Sequence, residues 1–394
     1  MFKGGYDIKI NNKEKKLKKH FKAIVSSVIF LTVCFIIGFV FAMCFGDFMS
    51  THIKHDSLFI ELIRIYGLLL IFFIGFLFHI IIHEAGHLIF GLITGYSFVS
   101  FRIGSFTVVK EDGKLKAKKF NIPGTAGQCL MMPPDLIDGK FPFVIYNFGG
   151  VIINFIVSTL SILSVIFIKN IIFPFNAILV LTGMAGIIAV LTNGIPLKIG
   201  GIVNDAYNVI SMLKDEEAKR GFYLQLKVNG LQSKGMRIKD MDFSLFELQP
   251  DSDISNPLNT SIRLMEFNWH LDNMDFDNAR KCINSFIPHF SKLIPLYRFE
   301  INCERIFLEL IGECDKSFID RLYDKQLKKY IKSAKYMISK KRLLMAYEYF
   351  YNENSDHALK HYEDLKKLSN SYPIRGEADM ELMLGSWIKE RITT

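Results

Sequence analysis

Residues 65–93 read IYGLLLIFFIGFLFHIIIHEAGHLIFGLI. A bilayer core takes about 20 apolar residues in a helix, and this run supplies them. Yet it ends on His79, His83, Glu84 and His87. Ionisable groups at a membrane edge are expensive, so their presence asks for a function. On a helix, positions i and i+4 share a face, and His83 and His87 can bring two imidazole nitrogens to one zinc ion at about 2.0–2.1 Å. Glu84 stands beside the pair, where it can take a proton from water. The spacing His-Glu-x-x-His serves zinc-dependent hydrolysis in this way. Gly86 removes side-chain bulk next to the pair. His79, one turn back on the same face, is expected to lie behind the ligands or in the cavity. The chain carries its own control: His357 and His361 repeat the spacing with Ala-Leu-Lys between them. That pair lies in a polar stretch without a Glu and is read as surface.

Working outward, three more apolar runs appear: Ile24 to Phe45, Phe143 to Ile168, and Ile171 to about Leu191. The expected fold is mostly α, a polytopic membrane protein of about four transmembrane helices. Only Lys169 and Asn170 separate the last two runs, which predicts a tight helical hairpin. The first run is too long for a cleaved signal peptide and lacks a small-x-small site after it, so it reads as a retained anchor. Lys and Arg set orientation. Residues 1–22 carry eight Lys, the loop at 46–57 only Lys54, and the loop at 96–142 carries Arg102, Lys110, Lys114, Lys116, Lys118, Lys119 and Lys140. Heavy and light loops alternate, which places the N-terminus, the 96–142 loop and the C-terminal region in the cytoplasm. The net charge of +9 over 394 residues is then topology and gives no support for a nucleic-acid partner. Half of the residues are hydrophobic, which excludes disorder as the main state. Six Cys without a Cys-x-x-Cys spacing argue against a disulfide scaffold.

A catalytic zinc site usually has three protein ligands and one open position. No Asp, Glu or His occurs from Phe141 to Asn204, and Asp205 is the first after the fourth run. Pro196, Gly200 and Gly201 let the chain leave helical geometry and turn back. Asp205 is therefore the expected third ligand. The competing reading is an N-cap for a helix starting near Ala206.

With these residues in view, the sequence resembles the site-2 protease family of intramembrane zinc metalloproteases. Three patterns carry the resemblance: His83-Glu84-Ala85-Gly86-His87, Gly149-Gly150-Val-Ile-Ile-Asn154, and Asn193 to Asp205 around Pro196. Together they cover about residues 60–210. The resemblance implies one Zn2+ per chain held by His83, His87 and Asp205, with Glu84 as general base. It also implies that Asn154 donates to the scissile carbonyl. From the residues alone, Asn154 reads as a helix–helix hydrogen bonder in lipid. A plasma membrane location is implied on the same ground. The sequence departs from the family where Asp205 lies well downstream of Pro196 and is followed by Ala206, and where Gly precedes the Asn154 pattern in place of Pro.

Between the first two patterns, alternating residues from Ser97, a run from Phe106, and Asp112-Gly113 before Leu115 predict a hairpin. Apolar, Gly-rich residues follow from Gly124 to Pro134. The resemblance suggests a small sheet near the site, whose strand edge could hold an extended substrate; a plain connecting loop is the other reading.

Three segments are expected: a basic cytoplasmic segment at 1–23, a membrane-embedded metalloprotease domain at 24–210, and a cytoplasmic helical domain at 211–394. In the last, Leu264, Phe267, Trp269, Leu271, Ala279, Ile283 and Phe286 recur at helical spacing. Asn273 to Ala279 and Asn354 to Ala358 look alike and lie 79 residues apart. This resembles a degenerate tetratricopeptide array of roughly three helical pairs, with an unrelated helical bundle as the other reading. The expected function is a zinc-dependent endopeptidase that cleaves a membrane protein or a small hydrophobic peptide precursor, with the bilayer and a protein bound by the helical domain as further partners. The alternatives are a non-catalytic membrane adaptor working through that domain, and a metal transporter.

Overall fold

Helix α1 spans Leu58–Ile93 and carries the whole decisive run. It begins seven residues before Ile65, because Glu61 and Arg64 sit on its side without a Pro to stop it. It ends where Gly95 takes φ +86° and the Tyr96 amide donates to the Gly91 carbonyl at 2.9 Å, a Schellman closure. The computed structural model describes residues 58–122, 125–168, 171–199 and 202–393. The expected anchor at Ile24 to Phe45 lies outside them. By its contacts the chain divides into Met1–Phe72 and Phe73–Thr394, and everything below belongs to the second unit.

Helices α2 (Phe143–Phe167) and α3 (Phe175–Gly194) pack against each other. With α1 they make three helices, among the described residues, that are long and apolar enough to cross a membrane. The tight turn expected at Lys169 and Asn170 lies outside the described residues. Ile171 to Phe173 stay outside α3, because Pro174 has no amide hydrogen and serves as its N-cap.

Between α1 and α2 lies a four-stranded antiparallel sheet: β1 (Ser97–Ile103), β2 (Phe106–Glu111), β3 (Lys114–Lys119) and β4 (Gly127–Met132). Its order is β3-β2-β1-β4. Asp112 and Gly113 make the β2–β3 turn with φ of +51° and +77°, as their dipeptide predicts. The Gly-rich stretch is not a plain loop, since its second half forms β4 on the edge beside β1.

After α3, a two-stranded ribbon (Lys198–Ile199 with Ile202–Val203) leads into α4 (Asp205–Lys214) and α5 (Glu216–Ser233). Tyr96, Met131 and Tyr146 share one core with Val209, Met212, Phe222 and Leu258. That core crosses the boundary expected at 210/211, so α4 and α5 pack as part of the membrane-proximal half.

Helical pairs follow: α6 (Pro257–Asp272), α7 (Phe276–Asn284), α8 (Pro295–Leu310), α9 (Lys316–Leu322), α10 (Lys325–Ser333), α11 (Ile338–Ala346), α12 (Ser355–Ser371) and α13 (Arg375–Thr393). The two look-alike segments share one backbone device. Met274 and Glu353 adopt φ of +62° and +54°, and the next residues, Asp275 and Asn354, cap α7 and α12. A third copy lies midway, where Cys314 has φ +53° and Asp315 caps α9. The turn thus recurs every 39 or 40 residues. Phe267, Leu271, Ala279, Ile283 and Phe286 are buried, as their spacing predicts. The last helices meet the sheet. Lys118 donates to the Tyr372 carbonyl at 2.9 Å, and Arg375 pairs with Glu111 and Asp112.

Candidate metal centre

The centre begins at a helix crossing. A Cβ on Gly86 would stand 2.3 Å from the Gly149 carbonyl oxygen, and one on Gly150 would stand 2.5 Å from the His83 ring. Glycine alone permits that approach. The Gly149-Gly150…Asn154 pattern thereby acquires its cause: α2 slides under the His83 ring, and Asn154 arrives one turn later.

His83 and His87 lie in edge-to-face contact with their Nε2 atoms 3.2 Å apart. Asp205 Oδ2 lies 3.0 Å from the first and 3.6 Å from the second. Ligands on a tetrahedral ion with bonds of about 2.0–2.1 Å stand about 3.3 Å from one another. The three donor atoms fit zinc in kind and in spacing. Each His is also oriented from behind. His87 Nδ1–H donates to the Tyr146 carbonyl at 2.8 Å, which leaves the Nε2 lone pair facing the centre.

Asp205 reaches this point because it does not cap its helix. Asn204 does, accepting from the Tyr207 amide at 3.0 Å. The Asn204 side-chain amide also accepts from Leu197 N and donates to the Thr192 and Ile195 carbonyls, tying the end of α3 to the start of α4.

Behind His83 lies a buried polar chain. His79 Nδ1 stands 3.0 Å from Asn154 Oδ1, and Asn154 Nδ2 stands 3.2 Å from His83 Nδ1. Both His79 and Asn154 are fully shielded from solvent. The part that the resemblance implies for Asn154 therefore meets a different geometry. Both ends of its amide are engaged by imidazoles, one Nδ2 hydrogen stays uncommitted, and Asn154 borders the cavity. His79 lies where the sequence places it, behind the ligands.

Glu84 faces the other way, toward β4. A Cβ on Gly127 would stand 2.8 Å from its carboxylate oxygen, and the Cys129 amide faces the same group. Tyr146 OH donates to the Cys129 carbonyl at 3.0 Å. Between these parts opens a cavity of about 420 Å3, bordered by His83, Glu84, His87, Gly127, Asn193 and Asp205. Arg102, counted above only as a topology charge, is buried. It donates to Gly104 O, Thr125 Oγ1 and Gly127 O, and so fixes the start of the strand that borders the cavity. Sequence reasoning missed Arg102, Tyr146 and the capping by Asn204. Only the last left a local signal, an Asn directly before Asp205. His357 is exposed, as expected, whereas His361 is half-buried, with its Nδ1 shut away from solvent.

No protein-family model matches the chain, and no curated protein or solved structure matches it.

Proposed function

We propose that this chain is a zinc-dependent intramembrane endopeptidase of the site-2 protease kind. The observation that supports it is the triangle of His83, His87 and Asp205 beside Glu84, at the end of a membrane-length helix. A zinc ion there supplies Lewis acidity, polarising a peptide carbonyl and making water easier to deprotonate. Glu84 takes the proton from the attacking water and passes it to the leaving amine. His79 and Asn154 set the His83 ring from behind, and both border the cavity. The edge of β4 left unpaired among the described residues lies beside Glu84 and is the edge on which an extended peptide would add as a strand. An extended backbone matters because a helical peptide bond is shielded within its own hydrogen bonding. Substrates are membrane-spanning segments or small hydrophobic peptide precursors.

The reading includes four membrane spans in the plasma membrane, with the N-terminus and the helical region in the cytoplasm. The array from α6 onward is taken as tetratricopeptide-like, binding a partner or presenting substrate. The turn that recurs every 39 or 40 residues supports a helix-turn-helix repeat, with a period longer than the 34 residues of the tetratricopeptide consensus. The test is cleavage of a membrane-segment library by the protein in lipid vesicles. Glu84→Gln is expected to lower turnover about 10²–10⁴-fold, the usual worth of a general base, while zinc stays bound. Undiminished turnover would reject this mechanism. Turnover absent from the wild-type chain, with the partner function kept by a His83→Ala, His87→Ala variant, would move the reading to an adaptor.

A further inference from the structure

We infer that the helical region carries a second binding site, for the free carboxylate end of a polypeptide, between α7, α8 and α9. A cavity of about 250 Å3 opens there, with Ile283, Leu308 and Phe318 as its apolar lining. Ile287, 47% exposed, stands at its mouth.

Two guanidinium groups border the cavity, and they are held differently. Arg280 is fixed: its Nη2 donates to the Leu308 carbonyl at 2.6 Å, and its Nη1 lies 3.4 Å from Glu309 Oε2. Gly312 makes the room, since a Cβ there would stand 2.5 Å from Nη2. Arg305 is not satisfied. Its Nε is shut away from water without an acceptor, and among the described residues its guanidinium meets only the Phe318 ring, at 5.2 Å. Arg321 lies over the same ring at 5.8 Å. The carboxylate at hand, Glu309, is spent on Arg280 and on the Asp315 amide. The two Nη groups of Arg305 are open to the solvent and meet no acceptor among the described residues, and they are the ends that an incoming carboxylate reaches.

The ligand follows from the shape. A guanidinium fork matches a planar carboxylate with two parallel hydrogen bonds. The apolar lining calls for an apolar side chain next to that carboxylate. At about 250 Å3 the cavity is smaller than the pockets of about 300–1,000 Å3 that take drug-sized ligands. It accommodates one residue and its terminus, not a chain passing through. A polypeptide ending in an apolar residue meets all three conditions. This site is independent of the proposed proteolysis.

The test is calorimetric titration of the full chain in detergent with acetyl-Ala-Ala-Leu as free acid, with the same peptide as C-terminal amide, and with inorganic phosphate. The free acid should bind at one per chain. The amide should bind at least about tenfold more weakly, a factor that one lost charge-assisted hydrogen bond accounts for. Arg305→Gln should cost the free acid at least about as much, with an unchanged melting temperature. Ile287→Asp, which places a fixed carboxylate at the mouth, should give the same loss without touching Arg305. The proposal is overturned if the free acid does not bind at millimolar concentration or if acid and amide bind alike. It is equally overturned if both variants bind as wild type, or if phosphate displaces the peptide at equal concentration.

Discussion

The chain holds two clusters of buried polar groups, built on opposite rules. In the helical region, Arg342 is 1% exposed and lies between carboxylates, 2.6 Å from Glu381 and 2.7 Å from Glu304. Lys340 beside it pairs with Glu300 at 2.7 Å. Cations and carboxylates answer one another there, with Arg342 Nη1 left without a hydrogen-bond partner among the described residues. At the end of α1, two imidazole nitrogens and a carboxylate oxygen converge instead, three lone-pair donors within 4.8 Å of one another. Groups behind them hold them in that posture. Burial of polar atoms is common to both places, so it does not mark a site. The pattern of sign does: one cluster supplies its own cations, and the other presents only groups that could hold one.

The largest expected effect follows from breaking the ion-paired cluster from one side. Arg342→Met leaves Glu304 and Glu381 facing each other in the core and should cost about 3–5 kcal/mol, read as a lower melting temperature by circular dichroism. Replacing all three residues by apolar ones of similar volume should return most of that loss. Zinc bound per folded chain should not change. His83→Ala should do the reverse, abolishing zinc with little loss of stability in the metal-free chain. Equal destabilisation by both would erase the distinction between the clusters.

A sharper probe addresses the groups behind His83. His79→Leu and Asn154→Leu should each weaken zinc by about 10–100-fold in chelator competition, as outer hydrogen bonds to metal ligands generally do. His79→Gln keeps a donor toward Asn154 and should recover most of the affinity. Should Asn154→Leu raise KM and leave zinc affinity untouched, Asn154 would belong to substrate binding after all.

The smallest effect concerns the seam between the two regions. Burial acts to raise the Glu111 carboxyl. Hydrogen bonds from Lys118, Lys116 and Arg375, with the Lys118 charge, overcome it and hold the group at about 2. A carboxyl depressed on folding contributes stability that is fully present above its unfolded value of about 4.3. That contribution is lost as pH falls toward 2. Hydrogen exchange at residues 106–119 should therefore quicken as pH drops from about 4.5 to 2, after correction for intrinsic rates. Glu111→Gln should flatten that dependence.

Much of the architecture was readable because its causes are local. A charge-poor apolar run makes α1 whatever surrounds it, and Asp112-Gly113 makes a hairpin from its own backbone preferences. The His83–Glu84–His87 face follows from helical periodicity alone. What stayed hidden depends on partners distant in sequence. Nothing around Arg102 announces that it will be buried beneath the strand bordering the cavity. Asp205 looked torn between capping and ligation until Asn204 took the cap. Two turns of the helical array stood out by their Asn residues. The third, at Cys314-Asp315, uses the same left-handed step without that letter. Asn154 was legible as a residue, but its part depends on which groups meet each end of its amide.

The most direct measurement is zinc per chain in detergent-purified protein, wild type against Asp205→Ala, with folding checked by circular dichroism. The expected result is close to one zinc in the wild type and little in the variant, both folded. A folded wild type that binds no zinc, or a variant that holds it as firmly, would contradict a centre made by His83, His87 and Asp205.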